Sequence, residues 1–158
     1  MMDIDLAVIG GTGVYRLPGI EWLETVEMDT PYGSPSGPVR IARMGARRIA
    51  FLARHGEAHA LPPHKVNYRA NLKALQDLGA GKVLAVNTVG GITERFGPRV
   101  LAVPEQIIDY TWGRISTLCE ENGSEVLHVD FTEPYTASPR EALLKACVAA
   151  AGAVGDGG

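Results

Sequence analysis

The stretch Asn87-Thr88-Val89-Gly90-Gly91 directly follows a mostly apolar run, residues 82–86. A short apolar run of this kind is typical of a buried strand. A strand that ends in glycines lets ligand atoms approach the backbone where side chains would otherwise block them. Pockets of α/β proteins lie at the carboxyl edge of the sheet. We therefore predict that residues 82–86 form the central strand of a mixed sheet and that the turn after it lines a ligand site.

Two other turns follow apolar runs in the same way. Gly10-Gly11-Thr12-Gly13 comes after residues 4–9, and Arg54-His55-Gly56 comes after residues 49–53. Three strand ends are therefore expected to converge on one site. The groups they offer suit a bound oxyanion, phosphate above all: backbone N–H groups, the hydroxyls of Thr12 and Thr88, the Arg54 guanidinium and the His55 imidazole.

The glycine-rich turn at residues 10–13 is open to other interpretations. It is equally compatible with a simple tight turn. The pair Gly11 and Gly13 also begins the dinucleotide fingerprint G-x-G-x-x-G, but Arg16 stands at the third glycine position and Pro18 interrupts the helix that should follow. A dinucleotide-binding module is therefore kept as an alternative from another class.

Two histidines four positions apart, His55 and His59, raise the possibility of a metal site. The zinc-protease pattern requires glutamate directly after the first histidine, on a helix, whereas Gly56 takes that place here and Pro62-Pro63 follows closely. The sequence favours anion binding over a metal, and we expect no metal site.

Composition indicates a globular protein with a small-molecule ligand. The chain has 158 residues, 46% of them hydrophobic, and a net charge of −3 with its 15 basic residues scattered. This leaves no electrostatic footprint for nucleic acid or an anionic membrane. The N-terminus lacks the features of a signal peptide, no apolar run reaches membrane-spanning length, and Cys119 and Cys147 show no disulfide or metal spacing, so we expect a cytoplasmic protein with free thiols.

The rest of the chain predicts a layered α/β domain. Alternation is weak over residues 22–28. Two short apolar runs, residues 100–103 and 106–110, are split by Pro104, which suits a strand with a break or an edge position. Tyr110 and Trp112 are interpreted as packing residues. The other expected elements are a hairpin of residues 39–44 and 47–53 around Gly45-Ala46, a helix over 66–78, and a helix that starts at a Ser138 capping box and ends at Gly152, with no strand after it.

Five segments in this order resemble the methylthioadenosine phosphorylase branch of the purine nucleoside phosphorylase family, and the resemblance covers nearly the whole chain. The turn at residues 87–92 and the loop Thr30-Pro31-Tyr32-Gly33-Ser34-Pro35-Ser36 are most similar to bacterial enzymes of this branch that act on S-methyl-5′-thioinosine, a 6-oxopurine nucleoside. The five segments are Ile9-Gly10-Gly11-Thr12-Gly13, Arg54-His55-Gly56, Pro63-His64-Lys65-Val66-Asn67-Tyr68-Arg69-Ala70-Asn71, Asn87-Thr88-Val89-Gly90-Gly91 and His128-Val129-Asp130-Phe131.

The resemblance implies a role for each matching residue. Thr12, Arg54, His55, Thr88 and the Val89 backbone are expected to hold phosphate, with Arg54 and His55 as the catalytic residues. The remaining implied roles concern the nucleoside: Gly90 and Gly91 along the purine, His59 near the pocket, and His128 reaching into a neighbouring subunit near the 5′-methylthio group.

The implied activity is phosphorolysis, which releases the purine and forms a ribose 1-phosphate. It requires no cofactor besides phosphate as co-substrate, and the family's enzymes are trimers or multiples of trimers. S-methyl-5′-thioinosine is the expected substrate, with S-methyl-5′-thioadenosine or inosine and guanosine as alternatives. The implied fold is a three-layer α/β/α arrangement, a mixed sheet flanked by helices.

The chain is shorter than the family's members. Residues 1–158 are therefore expected to be the N-terminal portion of a single nucleoside phosphorylase domain, C-terminally incomplete and poorly active alone. The alternative of another kind is an inactive fragment that assembles with a full-length homologue. The expected portion beyond residue 158 includes the side chain that distinguishes 6-oxo from 6-amino purines.

Overall fold

The computed structural model describes residues 2–119, 126–151 and 154–156, with Thr12 and residues 151 and 154–156 described by their backbone alone. These residues form two compact units. The first takes in Met1–Thr88 and Arg114–Leu118, and the second Val89–Gly113 and Cys119–Gly158. Within the described ranges, no helix combines the length and apolar character needed to cross a membrane.

The first unit is built on a five-stranded mixed sheet, and the predicted α/β class is confirmed. The strands are β1 (Leu6–Gly10), β2 (Glu21–Val26), β3 (Val39–Met44), β4 (Arg47–Ala53) and β5 (Val83–Ala85). Their order in the sheet is β2-β3-β4-β1-β5. Strand β1 pairs in parallel with β4 and β5, while β2, β3 and β4 are antiparallel neighbours.

The predicted hairpin is confirmed with its boundaries, because β3 and β4 pair around Gly45, whose φ is +59°. The expectation that residues 82–86 form the central strand is wrong. Among the described residues, β1 lies between β4 and β5, whereas β5 ends the strand order. The strand at the middle of the parallel group is therefore the one that carries the glycine-rich turn.

Strand β2 was not expected from the sequence. Its pairing with β3 shifts register between Trp22 and Glu24, which places an irregularity at Leu23. A bulge inserts one extra residue into a strand and reverses which face the following side chains occupy. This explains why the apolar and polar residues here do not alternate cleanly.

The predicted helix over residues 66–78 is confirmed as α1 (Tyr68–Asp77), slightly shorter at both ends. The Asn67 side chain caps it, because its Oδ1 accepts a hydrogen bond from the Ala70 N–H at 3.1 Å. Gly79, with φ +98°, follows the helix in the left-handed conformation that favours glycine. This short helix leads the chain from β4 to β5.

Apolar clusters pack on both faces of the sheet within the first unit. On one face, Leu75 and Leu78 at the end of α1 pack with strand residues such as Leu52. On the other face, Val14 packs against Phe51, and the half-buried Tyr15 and Trp22 lie beside them together with Val8, Ala42 and Ile49. Burial of β4 on both of its faces accounts for its near-continuous apolar sequence.

The second unit contains α2 (Ala137–Ala151) and a pair of parallel strands, β6 (Leu101–Val103) and β7 (Val154–Asp156). Three expectations are wrong here. Residues 106–110 form no strand, β7 follows the last helix, and α2 begins before Ser138 because the Arg140 N–H donates to the Thr136 carbonyl at 3.1 Å. The expected helix end, Gly152, lies outside the described residues.

Asp5 joins the start of β1 to the start of β4. Its Oδ1 accepts from Arg47 Nη1 at 2.6 Å and its Oδ2 from the Arg48 N–H at 2.9 Å. The side-chain hydrogen bond from Arg47 is the largest cause that holds the pKa of the Asp5 carboxyl below its ordinary value of 3.8.

The lowered Asp5 pKa leads to a pH-dependence prediction. A carboxyl with a lower pKa in the folded state stabilises the protein above its unfolded pKa, and that contribution is lost as pH falls through the folded pKa. We expect Asp5→Asn to lower the melting temperature at pH 7 and to make progressively less difference below pH 3.8. A difference that is the same at pH 7 and at the acid end of the melting series would contradict this role.

Candidate functional site

The three turns predicted to converge do follow strands that end at one edge of the sheet. Gly10 at the end of β1 is in register with Ala53 at the end of β4, and Ile9 with Ala85 at the end of β5. Because these strands are parallel, their carboxyl ends share one edge. The predicted convergence of the strand ends is confirmed.

Backbone hydrogen bonds continue past the strands and hold the turns together. The Arg54 N–H donates to the Gly10 carbonyl at 2.9 Å, and the Val86 N–H donates to the Ile9 carbonyl at 2.8 Å. The first residue after β4 and the first after β5 are thus both tied to β1. This edge is a preorganised position for the side chains that follow.

The Arg54 side chain extends along this edge. Its Nη1 lies 3.4 Å from the Val86 carbonyl oxygen, and its Nε lies 3.4 Å from His55 Nε2. Both contacts are long for hydrogen bonds, and no carboxylate among the described residues pairs with this guanidinium. A half-buried guanidinium without a counter-charge is well suited to bind an anion.

His55 is held in one tautomer by its neighbours. Its Nδ1 lies 2.7 Å from the Leu61 carbonyl oxygen. A carbonyl oxygen only accepts, so Nδ1 carries the hydrogen and donates it. The lone pair on Nε2 then faces the Arg54 Nε–H. The imidazole is therefore placed to orient the guanidinium beside it.

His59 lies against His55, with ring centroids 4.9 Å apart and an angle of 33° between the planes. The loop that carries both rings is compact: Gly56 has φ +75° and His59 has φ +55°. A Cβ on Gly56 would lie 3.1 Å from the Ser36 carbonyl oxygen. Glycine is therefore favoured at position 56 both by its conformation and by the close approach of the neighbouring loop.

The glycine-rich turn leads into a five-residue 3₁₀ helix, Thr12–Arg16. A Cβ on Gly10 would meet Val14 Cγ1 at 2.4 Å, whereas one on Gly11 or Gly13 would have no described atom within 4 Å. The α-helix that a dinucleotide fingerprint requires does not follow here. The side chain of Thr12 lies outside the described part of the structure, and only its backbone is placed in this turn.

Thr88 is the last residue of the longer of the two segments that form the first unit, and it is exposed. Val89, Gly90 and Gly91 belong to the second unit, where Gly90 faces open space. A Cβ on Gly91 would come within 1.7 Å of the Phe96 carbonyl oxygen. The chain's own backbone therefore accounts for glycine at position 91, whereas a Cβ on Gly90 would meet no described atom within 4 Å.

His128 lies in an irregular, exposed segment of the second unit. Nearby, the Asp130 carboxylate accepts from the Thr132 hydroxyl at 2.7 Å and from the Thr132 N–H at 2.9 Å, which holds the pKa of that carboxyl below its ordinary value. The packing role expected for Tyr110 and Trp112 in this unit is wrong, since they are 87% and 89% exposed.

Asn71 supports the candidate site and is only 2% exposed. The sequence alone assigned it no role. Its Oδ1 accepts from the Ser36 N–H at 2.7 Å, and its Nδ2 donates to Ser36 Oγ at 3.0 Å. Ser36 is the residue whose carbonyl packs on Gly56. Asn71 thus holds one loop against another that carries His55. A polar residue on the apolar face of a predicted helix was the available signal.

Asn71→Ala is expected to destabilise the protein by about 2 kcal/mol, because the buried Asn71 side chain is lost and the part-buried Ser36 N–H loses its acceptor. Urea unfolding measures this directly. Gln76→Ala, on the exposed face of the same helix, is the matched control and should change stability by less than about 0.5 kcal/mol. Equal effects of the two substitutions would contradict the role of Asn71 in holding the two loops together.

Comparison with known proteins shows the family. The model of the phosphorylase superfamily matches residues 5–156. A probable S-methyl-5′-thioinosine phosphorylase from Xanthomonas campestris pv. campestris is 65% identical over 91% of this chain and 58% of its own length. A purine nucleoside phosphorylase from Streptomyces coelicolor is 43% identical over 90% of this chain and 52% of its own.

A solved structure agrees with this relationship. The crystal structure of a methylthioadenosine phosphorylase from an antarctic soil metagenomic library superposes with a TM-score of 0.89 at 34% identity, covering 99% of this chain and 54% of that one. The chain belongs to the phosphorylase superfamily. It spans between half and about three fifths of the length of the curated relatives it matches.

Proposed function

We propose that the protein takes part in the phosphorolysis of a purine nucleoside, with S-methyl-5′-thioinosine as the substrate. The observation that carries the proposal is the common edge of β1, β4 and β5, where the Arg54 guanidinium has no carboxylate partner among the described residues. The choice of nucleoside is supported by the name of the relative from Xanthomonas campestris, which is 65% identical.

In this proposal, Arg54 binds the phosphate co-substrate. Its fork of N–H donors matches the geometry of phosphate oxygens, and no carboxylate in the described part of the chain pairs with its charge. His55, in its Nδ1–H form, orients the guanidinium through Nε2. Backbone N–H groups of the open Gly11 to Gly13 turn and the Thr12 and Thr88 hydroxyls complete the phosphate set. The Val89 backbone adds a further donor.

The chemistry follows from a phosphate held beneath C1′ of the ribose. The bond from C1′ to the purine nitrogen breaks, and the purine leaves with the bonding electrons. An oxygen of hydrogen phosphate forms the new bond to C1′, and the proton that hydrogen phosphate loses balances the proton that the purine gains. Positive charge develops on the sugar as the purine departs, and the adjacent phosphate dianion stabilises it. Positioning and electrostatics therefore supply most of the rate, and phosphate is the only co-substrate in this scheme.

Further roles are part of the same proposal. Gly90 and Gly91 line the purine, His59 lies near the pocket, and His128 contributes to a neighbouring subunit's site in a homotrimer. The cytoplasmic location and the single domain of residues 1–158 are likewise proposals. The chain spans 58% of the length of the Xanthomonas campestris relative, so we expect residues 1–158 alone to convert the nucleoside slowly.

A substrate panel assayed with and without phosphate tests the proposal. Intact mass spectrometry of the natively expressed gene product first establishes the length to be assayed. We expect S-methyl-5′-thioinosine to be consumed fastest and only with phosphate present, ahead of S-methyl-5′-thioadenosine, inosine and guanosine. Consumption that does not depend on phosphate would contradict the reaction class, and a preference for another nucleoside would contradict the substrate alone.

Two other outcomes separate the alternative functions. Thermal stabilisation by NAD(P), with none from phosphate plus purine, would favour a dinucleotide-binding module. Assembly with a full-length homologue without turnover of its own would favour a non-catalytic partner.

A further inference from the structure

Tyr15 connects the glycine-rich turn to the end of β4. It lies in the 3₁₀ helix Thr12–Arg16, and its hydroxyl oxygen accepts a hydrogen bond from the Ala53 N–H at 2.9 Å, across 38 positions of sequence. Ala53 is the last residue of β4 and directly precedes Arg54. The contact therefore lies where β4 ends and the candidate anion-binding residues Arg54 and His55 begin.

Among the described strands, none offers a partner to the Ala53 N–H. Successive N–H groups along a strand point to opposite sides, and the Arg54 N–H points to β1, where it bonds Gly10. The Ala53 N–H therefore points to the β3 side. Pairing of β3 with β4 extends from Met44 opposite Arg47 only to Arg40 opposite Phe51. The Tyr15 hydroxyl thus takes the place of the missing strand acceptor.

The Tyr15 ring is fixed from two sides, so its hydroxyl position is well defined. The Arg40 guanidinium carbon lies 4.8 Å from the ring centroid, and Trp22 packs edge-on with centroids 5.8 Å apart. Trp22 in turn packs edge-on against Phe51 at 5.3 Å. Burial raises the pKa of the Tyr15 phenol above its ordinary value of 10.0, so the neutral hydroxyl is the form present at physiological pH.

We infer that Tyr15 is a positioning residue for the anion site: its hydroxyl immobilises the end of β4 and so holds Arg54 and His55 in register with the glycine-rich turn. The ligand part of this inference rests on the proposed phosphate site, while the immobilisation can be measured without any ligand. Tyr15 itself need not touch the substrate. It acts through the backbone of Ala53.

Tyr15→Phe tests the inference, because it keeps the ring and removes only the acceptor. Tyr68→Phe is the matched control: it also removes one hydroxyl, from an exposed tyrosine of the same unit whose bond to the Pro63 carbonyl is 3.3 Å long. Amide hydrogen exchange is followed by NMR without ligand, and the affinity for inorganic phosphate is measured by calorimetry on the same samples.

In Tyr15→Phe, we expect the amides of Ala53 and Arg54 to exchange about tenfold faster, while Ala50 in the middle of β4 keeps its rate. Phosphate affinity should fall by about five- to tenfold, since one hydrogen bond preorganises the site. Tyr68→Phe should change neither quantity. Unchanged exchange at Arg54 would overturn the inference, as would equal acceleration throughout β4.

The outcomes keep this inference apart from the proposed function. If the unaltered protein binds no phosphate, the phosphate proposal fails, and the exchange rates alone decide the role of Tyr15. If phosphate binds but with the same affinity in Tyr15→Phe, the positioning role is contradicted and the phosphate proposal stands. If Tyr15→Phe does not fold, exchange in the unaltered protein decides: protection of the Ala53 amide supports the inference, and exchange as fast as an unpaired amide overturns it.

Discussion

Replacing Arg54 by alanine is expected to lower phosphate-dependent purine release by a factor of about 10²–10³, the loss typical when one preorganised charge-stabilising donor is removed. The guanidinium stands at the shared edge of three parallel strands with no carboxylate partner among the described residues. Steady-state kinetics with varied phosphate concentration measure the effect. The loss should appear in kcat/KM for phosphate.

Two further variants make this prediction specific. Arg54→Lys keeps the charge but not the fork of donors, so it should recover only part of the activity. Arg43→Ala removes a guanidinium from the hairpin end of β3, where it pairs with Glu21 at 3.5 Å on the surface, and should leave kinetics unchanged. Full activity in Arg54→Ala, or equal losses in Arg54→Ala and Arg43→Ala, would contradict the assignment of Arg54 to the proposed phosphate site.

Gly91→Ala is expected to destabilise the second unit by about 3 kcal/mol. Its Cβ would be placed 1.7 Å from the Phe96 carbonyl oxygen, so the backbone around the turn would have to move. Thermal and urea unfolding followed by circular dichroism measure this change.

Gly90→Ala is the matched control, because a Cβ there has no described atom within 4 Å. It should unfold like the unaltered protein, and any loss of activity it causes would point to a ligand that approaches Gly90. Equal unfolding free energies for the two alanine variants would contradict the backbone contact between Gly91 and Phe96.

The parts of the fold that could be predicted are those determined by local sequence. Gly45-Ala46 between two apolar runs predicted the hairpin to the residue, and the helix predicted over residues 66–78 contains α1. The parts that could not be predicted depend on pairing. The irregularity at Leu23 disrupts the alternation of apolar and polar residues in β2, so the sequence did not indicate that strand. Strand β7 has three residues, which is too few for a periodic pattern. The place of β5 at the end of the order also depends on which strands pair with β1.

The candidate site divides in the same way. The convergence of three strand ends could be predicted, because parallel strands end at a common edge and an apolar run before each turn indicated a strand. The contact of Tyr15 with Ala53 could not, since it spans 38 positions and uses a backbone donor. The reason for glycine at position 91 was also missed, because the group that requires it is a carbonyl five residues further on.

Backbone NMR of the protein titrated with inorganic phosphate tests the central claim most directly. The account predicts saturable shifts at the amides of Gly11, Gly13, Arg54 and Thr88. The amides of Gly45 and Ala46, at the opposite end of β4, should not move. Shifts confined to other surfaces, or none at millimolar phosphate, would contradict a phosphate site at the common edge of β1, β4 and β5.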